Sequence, residues 1–167
     1  PYPKYRITEY AKEEGYLAKD YGIDDVSKSI YLPSKIDIKD RDKIINLCDL
    51  KESDIVLEIG PGMGILSEEI AKVAHKFILV EKDNKLFEFL QHKLLKNYPD
   101  IIIKNEDILL LRLDKLNETS LKIIATLPYN ISSQIVFKII EEREFIKECF
   151  LVFQKEVADR LQAVPNT

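Results

Sequence analysis

From about residue 40 onward, apolar and polar positions follow two spacings that alternate along the chain. Short, nearly unbroken apolar runs at 54–59, 77–81, 100–104, 121–126 and 148–153 predict strands. Phe77-Ile78-Leu79-Val80 is typical. A strand apolar on both faces is one covered on both faces, which is the habit of a parallel sheet between helix layers. The stretches 64–75, 83–97, 131–142 and 154–163 carry helical spacing. Leu86, Leu90 and Leu94 recur every four residues, as the inward stripe of an amphipathic helix does. A further helix over Asp40 to Leu50 turns Ile44, Ile45 and Cys48 inward. The alternation predicts an α/β fold with a doubly wound, mostly parallel sheet, whose ligands bind at the carboxyl ends of the strands.

Residues 1–38 break the pattern. They are polar, with Tyr2, Tyr5, Tyr10, Tyr16 and Tyr21 scattered through them. Thr8 is placed to cap a short helix over Glu9 to Lys19 that ends near Gly22. This stretch reads as an N-terminal arm laid over a domain formed by residues 39–167.

Composition narrows the class. With 167 residues, 46% hydrophobic and 32% charged, the chain is expected to form one domain with a real core. No apolar run approaches the ~20 residues of a membrane helix, so no membrane partner is expected. The net charge of −4 argues against a free-standing nucleic-acid binder, although an enzyme whose basic module lies elsewhere is compatible with it. Cys48 and Cys149 lack metal-type spacing and are expected to be reduced thiols in or near the core. His75 and His92 fall on charged helical stretches and read as surface residues.

Candidate chemistry sits at the strand ends. The first strand runs into Glu58-Ile59-Gly60-Pro61-Gly62-Met63-Gly64. Glycines at alternate positions let the backbone turn sharply and approach a ligand closely, and a helix starting at 64 would add unpaired N–H groups there. The spacing G-x-G-x-G is neither the dinucleotide G-x-G-x-x-G nor a P-loop, which needs G-K-[ST]. The second strand ends at Glu81-Lys82-Asp83, about 20 residues past the first glycine, where an acid accepts both ribose hydroxyls of an adenosine. Asp83 opens the next helix and is assigned to its cap, leaving Glu81 for the ribose. The third strand ends at Asn105-Glu106-Asp107-Ile108. Asp107 can accept from an adenine amino group while Ile108 packs on the ring; a solvated loop acid is the alternative. The fourth ends at Thr126-Leu127-Pro128-Tyr129-Asn130-Ile131-Ser132. This run resembles the [DN]-[LIP]-P-[YF] of amino methyltransferases that act on nucleobases, whose target, an exocyclic amine, is a poor nucleophile because its lone pair is delocalised into the ring. Acceptors from a side chain and a backbone carbonyl favour its nucleophilic form, and an aromatic ring stacked on the base stabilises the growing positive charge. The proline stiffens the loop that aims them. An ordinary Pro-Tyr turn is the alternative.

The acid-x-G-x-G-x-G loop resembles the cofactor loop of class I S-adenosylmethionine methyltransferases, a Rossmann-like fold. E-I-G-P-G-M-G, V-E-K-D, N-E-D-I, L-P-Y-N-I-S and F-Q-K-E-V-A-D-R-L follow in order. Together they resemble the rRNA adenine N6,N6-dimethyltransferases of the bacterial type, over roughly Lys28 to the end. The resemblance implies transfer of methyl groups from S-adenosylmethionine to adjacent adenines of small-subunit rRNA, with the pre-ribosomal small subunit as partner and a monomer as the working form. It implies an intracellular, reducing location, cytoplasm or organelle. By resemblance, Leu32, Glu58, Gly60, Gly62, Gly64, Glu81, Asp107 and Ile108 hold the cofactor. Thr126, Leu127, Pro128, Tyr129 and Phe153 form the catalytic pocket, with Thr126 shared between the two.

The chain departs from the family at three places. Thr126 stands where the family has Asn, and offers one hydroxyl on a shorter, stiffer stem. Lys28-Ser29-Ile30-Tyr31-Leu32 is a degenerate form of the family's G-Q-x-F-L. The sequence stops at Pro165-Asn166-Thr167, where the family continues into its last strands and a small helical domain. Two other readings stay open: a large-subunit rRNA methylase of the erythromycin-resistance type, which the same motifs fit, and a weakly active or non-catalytic ribosome-assembly factor that binds RNA on the same fold, with Thr126 lowering its activity.

Overall fold

A computed structural model describes the backbone of residues 28–31, 38–127 and 131–153, with side chains from Arg41 onward within them. In chain order the elements are β1 (Lys28–Tyr31), α1 (Ile38–Cys48), β2 (Ile55–Ile59), α2 (Ser67–Ala71), β3 (Lys76–Val80), α3 (Asn84–Leu94), β4 (Ile102–Lys104), β5 (Leu121–Thr126), α4 (Ser132–Glu141) and β6 (Ile146–Phe153). Short 3-10 turns at Leu113–Leu116 and Arg143–Phe145 lead into β5 and β6. The strands form one six-stranded sheet in the order β1-β6-β5-β2-β3-β4. Every described pairing is parallel.

The strands are apolar on both faces because both faces are covered. Leu57, Ile59, Ile78, Val80, Ile123, Ala125 and Leu151 point into one core with Ile135 and Ile139 of α4 and the 108–116 segment. Val56, Phe77, Leu79, Ile124, Phe150 and Val152 point into the other, against Ile44 and Cys48 of α1, Ile70 of α2, and Leu90 and Leu94 of α3. This is the three-layer, doubly wound arrangement the alternation predicts. Both cysteines are buried in it, and burial, then the Glu148 charge, pushes the Cys149 thiol up, so it is inert. His75 and His92 are exposed.

Two elements differ from expectation. Lys28–Tyr31, in the stretch read as an arm, adds an edge strand beside β6. The helix expected over 64–75 is only Ser67–Ala71. Gly60, Gly62 and Gly64 all have positive φ (64°, 57° and 69°), so turns occupy the chain until Leu66. The helix expected over 154–163 lies outside the described residues.

The amino ends of the strands are held by a buried ion cluster. Lys122 of β5 meets Asp54, just before β2, at 2.6 Å, and Glu148 of β6 at 3.4 Å. The same ammonium donates to the carbonyls of Cys48 and Asp49, where it closes the C-terminus of α1. Asp54 also accepts from the Lys51 N–H at 2.9 Å and from Lys147 at 3.1 Å. Burial, the largest single influence, would raise the Asp54 carboxyl; the hydrogen bonds from Lys122, Lys51 and Lys147 together outweigh it and hold it below the usual range. Replacing one member of a buried pair leaves the other uncompensated. Lys122→Met is therefore expected to cost about 3 kcal/mol in urea unfolding at pH 7. The loss should shrink in acid, because protonating Asp54 removes the buried charge that Lys147 and the Lys51 N–H are left to balance.

Candidate active site

The register decides which side chains meet. Ile59 of β2 is level with Val80 of β3 and with Ala125 of β5. The next residue of each strand is Gly60, Glu81 and Thr126, so these stand at one level on the carboxyl edge. The sheet order reverses between β2 and β5: β3 and β4 lie to one side of β2, β5 and β6 to the other. That crevice is where a doubly wound sheet binds its ligand.

Glu81 is 7% exposed, and its carboxylate braces the loop. One oxygen accepts the Gly62 N–H at 3.3 Å, and the other accepts the Asp83 N–H at 2.9 Å. A carboxylate has about four acceptor positions, so it can take further donors. A Cβ built on Gly60 or Gly62 would meet nothing within 4 Å, which leaves open space over the loop. Gly64 differs: its Cβ would lie 2.9 Å from Leu90 and 3.4 Å from the Ser67 hydroxyl, so this glycine serves close packing of the loop on α3. Asp83 caps α3 as expected, accepting from the N–H groups of Lys85 and Leu86.

Glu58 lies beneath the loop at 3% exposure and accepts a 2.6 Å hydrogen bond from the Ser67 hydroxyl. Burial pushes its carboxyl up to about 7; the Ser67 bond and the Lys93 charge oppose the rise, and Glu81 adds to it.

Asp107 accepts the Leu109 N–H at 3.0 Å and the Lys82 ammonium at 2.7 Å. Lys82 first, and then Leu109, hold it below the usual carboxylate range. It is tied to the Glu81 segment through Asn105, whose amide donates to the carbonyls of Glu81 and Lys82 at 3.0 and 3.3 Å. Ile108 is buried in the core cluster beside the sheet.

At the end of β5, Thr126 is half-buried and the Leu127 N–H bonds the Val152 carbonyl at 3.0 Å. Leu127 and Phe153 are both packed into the core, 5% and 2% exposed. The structure thus brings Glu58, the three glycines, Glu81 and Thr126 to one edge, with Leu127 and Phe153 packed behind. Leu32, Pro128 and Tyr129 lie outside the described residues.

Sequence reasoning gave no role to Ser67, Asn105 or Lys93. Lys93 of α3 donates to the carbonyls of Met63 and Gly64 at 2.9 and 3.2 Å. No spacing rule links it to a loop 30 residues earlier. Asn105 did stand in a strand-end motif, which is the one signal that could have singled it out.

The Glu58 environment generates a pH test. A carboxyl at about 7 in the fold and 4.5 when unfolded binds a proton more tightly when folded. Its contribution is fully present below about 4.5 and is lost as pH rises through about 7, a change of about 3 kcal/mol. Glu58→Gln should abolish that part of the pH dependence. The check is urea unfolding of both chains from pH 5 to 8; parallel curves would refute the buried-acid reading.

Comparison with known proteins agrees with this geometry. The ribosomal RNA adenine dimethylase profile matches residues 35–167. The small-subunit rRNA methyltransferase A of Alkaliphilus oremlandii is 39% identical over 146 residues, 84% of this chain and 50% of that protein. The chain therefore spans about half the length of the curated relatives it matches. A crystal structure of a dimethyladenosine transferase from Plasmodium falciparum superposes with a TM-score of 0.66 at 34% identity, covering 74% of this chain and 44% of that one. The 23S rRNA methyltransferase ErmE superposes with a TM-score of 0.58 at 31% identity, covering 65% of this chain and 43% of its own. With its glycine loop, its strand-end acids and most of its length matched, this chain belongs to the ribosomal RNA adenine dimethylase family.

Proposed function

We propose that this chain is the cofactor-binding and catalytic domain of an rRNA adenine N6-dimethyltransferase, which methylates adjacent adenines of small-subunit rRNA with S-adenosylmethionine during ribosome assembly. The observation that carries the reading is the common level of Gly60, Glu81 and Thr126 at the switch point. It supports an adenosine-type site at Gly60 and Glu81 beside the strand end that carries Thr126. The choice of the small subunit is supported by the relatives' names, and by the greater likeness to the dimethyladenosine transferase than to ErmE. An rRNA substrate places the working protein where ribosomes are assembled, in the cytoplasm or an organelle, and the family resemblance favours a monomer.

The residues present fit the cofactor. Open space lies over Gly60 and Gly62, and Glu81 has acceptor positions left for two ribose hydroxyls. Asp107 and Ile108 would take the adenine end, and Leu32 the contact its motif implies. The cofactor supplies an electrophilic methyl group on a sulfonium, so the protein needs no strong base. The chain's own work is positioning. The Thr126 hydroxyl and a carbonyl at Leu127 or Pro128 accept the hydrogens of the target amine. Tyr129 stacks on the base, and Phe153 backs the pocket from within the core.

Two outcomes follow. Glu81→Ala should weaken S-adenosylmethionine binding by about 2 kcal/mol, roughly thirtyfold, through loss of a charged bidentate acceptor. Isothermal calorimetry measures it, and NAD binding as tight as S-adenosylmethionine binding would sink the whole reading. Restoring the family residue with Thr126→Asn, in the full-length protein, should raise single-turnover methylation of undermethylated small subunits by on the order of tenfold to a hundredfold. Cofactor affinity should barely change, because the contact is to the substrate amine. A flat or reduced rate would mean that the pocket has adjusted to Thr126.

A further inference from the structure

The glycine loop is held by side chains from three directions, and one of them plays no part in the family motifs. Glu81 holds the Gly62 N–H, and Glu58 holds Ser67 just after the loop. Lys93, in the last turn of α3, reaches the loop's carbonyls at Met63 (2.9 Å) and Gly64 (3.2 Å). Successive glycines at positive φ turn neighbouring carbonyls away from the usual helix or strand partners. A cation with several donors can satisfy two of them at once. Lys93 is steered to this position on both sides. Glu68 of α2 lies 3.4 Å from its ammonium, and the Phe89 ring, one turn earlier on α3, lies 6.0 Å below it.

We propose that Lys93 is a positioning residue for the cofactor loop: reaching across from α3, it clamps the Met63 and Gly64 carbonyls. The inference rests on the cofactor reading above. A loop clamped at Gly62 by an acid and at Met63–Gly64 by a base has its open face at Gly60–Gly62 set before a ligand arrives, and preorganisation of this kind raises affinity. The Ser67 hydroxyl of α2 bonds Glu58, and the charges that act on it are the Lys93 ammonium of α3, which lowers its carboxyl, and the Glu81 carboxylate after β3, which raises it. Lys93 is the cation among them. Removing its charge leaves the Ser67 bond alone to oppose burial and the Glu81 charge, so Glu58 should hold its proton to higher pH.

The test compares wild type, Lys93→Met and Lys93→Arg in the 167-residue chain. Met keeps the apolar stem and loses the charge and the donors; Arg keeps both. By calorimetry, Lys93→Met should bind S-adenosylmethionine on the order of tenfold more weakly, with Lys93→Arg recovering most of the loss. Two readouts need no cofactor. The Gly64 amide, which closes the 61–64 turn on the Pro61 carbonyl at 2.9 Å, should exchange with solvent faster in Lys93→Met. The pH window over which stability falls should move upward, which loss of a merely structural contact would not do. Wild-type affinity in Lys93→Met, with the exchange rate and pH window unmoved, overturns the proposal while leaving the cofactor reading intact. Failure of the wild-type chain to bind S-adenosylmethionine overturns the cofactor reading, and the positioning role falls with it.

Discussion

The parallel register of β2 with β3 and β5 is the constraint from which the site follows. Backbone hydrogen bonds pair Ile59 with Val80 on one side and with Ala125 on the other. Because side chains alternate faces along a strand, a slip of one residue would move a whole apolar set to the wrong layer. The two cores, each complete only in this register, therefore lock it. Gly60, Glu81 and Thr126 then have to emerge together at the carboxyl edge. The ion cluster around Asp54 and Lys122 does the equivalent work at the opposite edge, tying β2, β5, β6 and the end of α1 where no ligand is needed.

Charge at the two edges is handled differently. At the amino edge the buried carboxylate of Asp54 meets two ammonium groups and a backbone N–H, and its proton is held loosely. At the carboxyl edge Glu58 has a hydroxyl at hydrogen-bond distance, with Lys93 and Glu81 acting on it with opposite sign, and its proton is held tightly. The first arrangement suits a fixed pin. The second leaves an acid of intermediate strength under a loop whose other face is open at Gly60 and Gly62. Both depend on desolvation, which raises a carboxyl until enough donors converge on it.

Much of the site was legible because its signals are local. The alternate glycines, the acid two residues before them, the acid at the end of the second strand and the Asp83 cap are each set by a few neighbouring residues, and in the structure the glycines take positive φ, Glu81 accepts a loop N–H and Asp83 caps α3. The glycines also account for the one helix misread. Helical spacing after Met63 is real in the sequence, but three residues at positive φ keep the backbone in turns until Leu66. Lys28–Tyr31 could not be read as a strand because nothing in K-S-I-Y alternates strongly. Its pairing with Phe150–Phe153 joins residues more than a hundred positions apart.

By itself, then, the sequence determined the alternation of elements, the two-sided burial of the strands and the residue types at each strand end, because periodicity and turn chemistry act over a few residues. Tertiary structure alone decided which of those ends stand level, that Gly64 is packed on Leu90 while Gly60 and Gly62 face open space, and that Ile108, Leu127 and Phe153 are built into the core. It also decided that a lysine on α3 holds a loop 30 residues before it. Such contacts depend on where whole layers come to rest against one another, and no short window of residues records that.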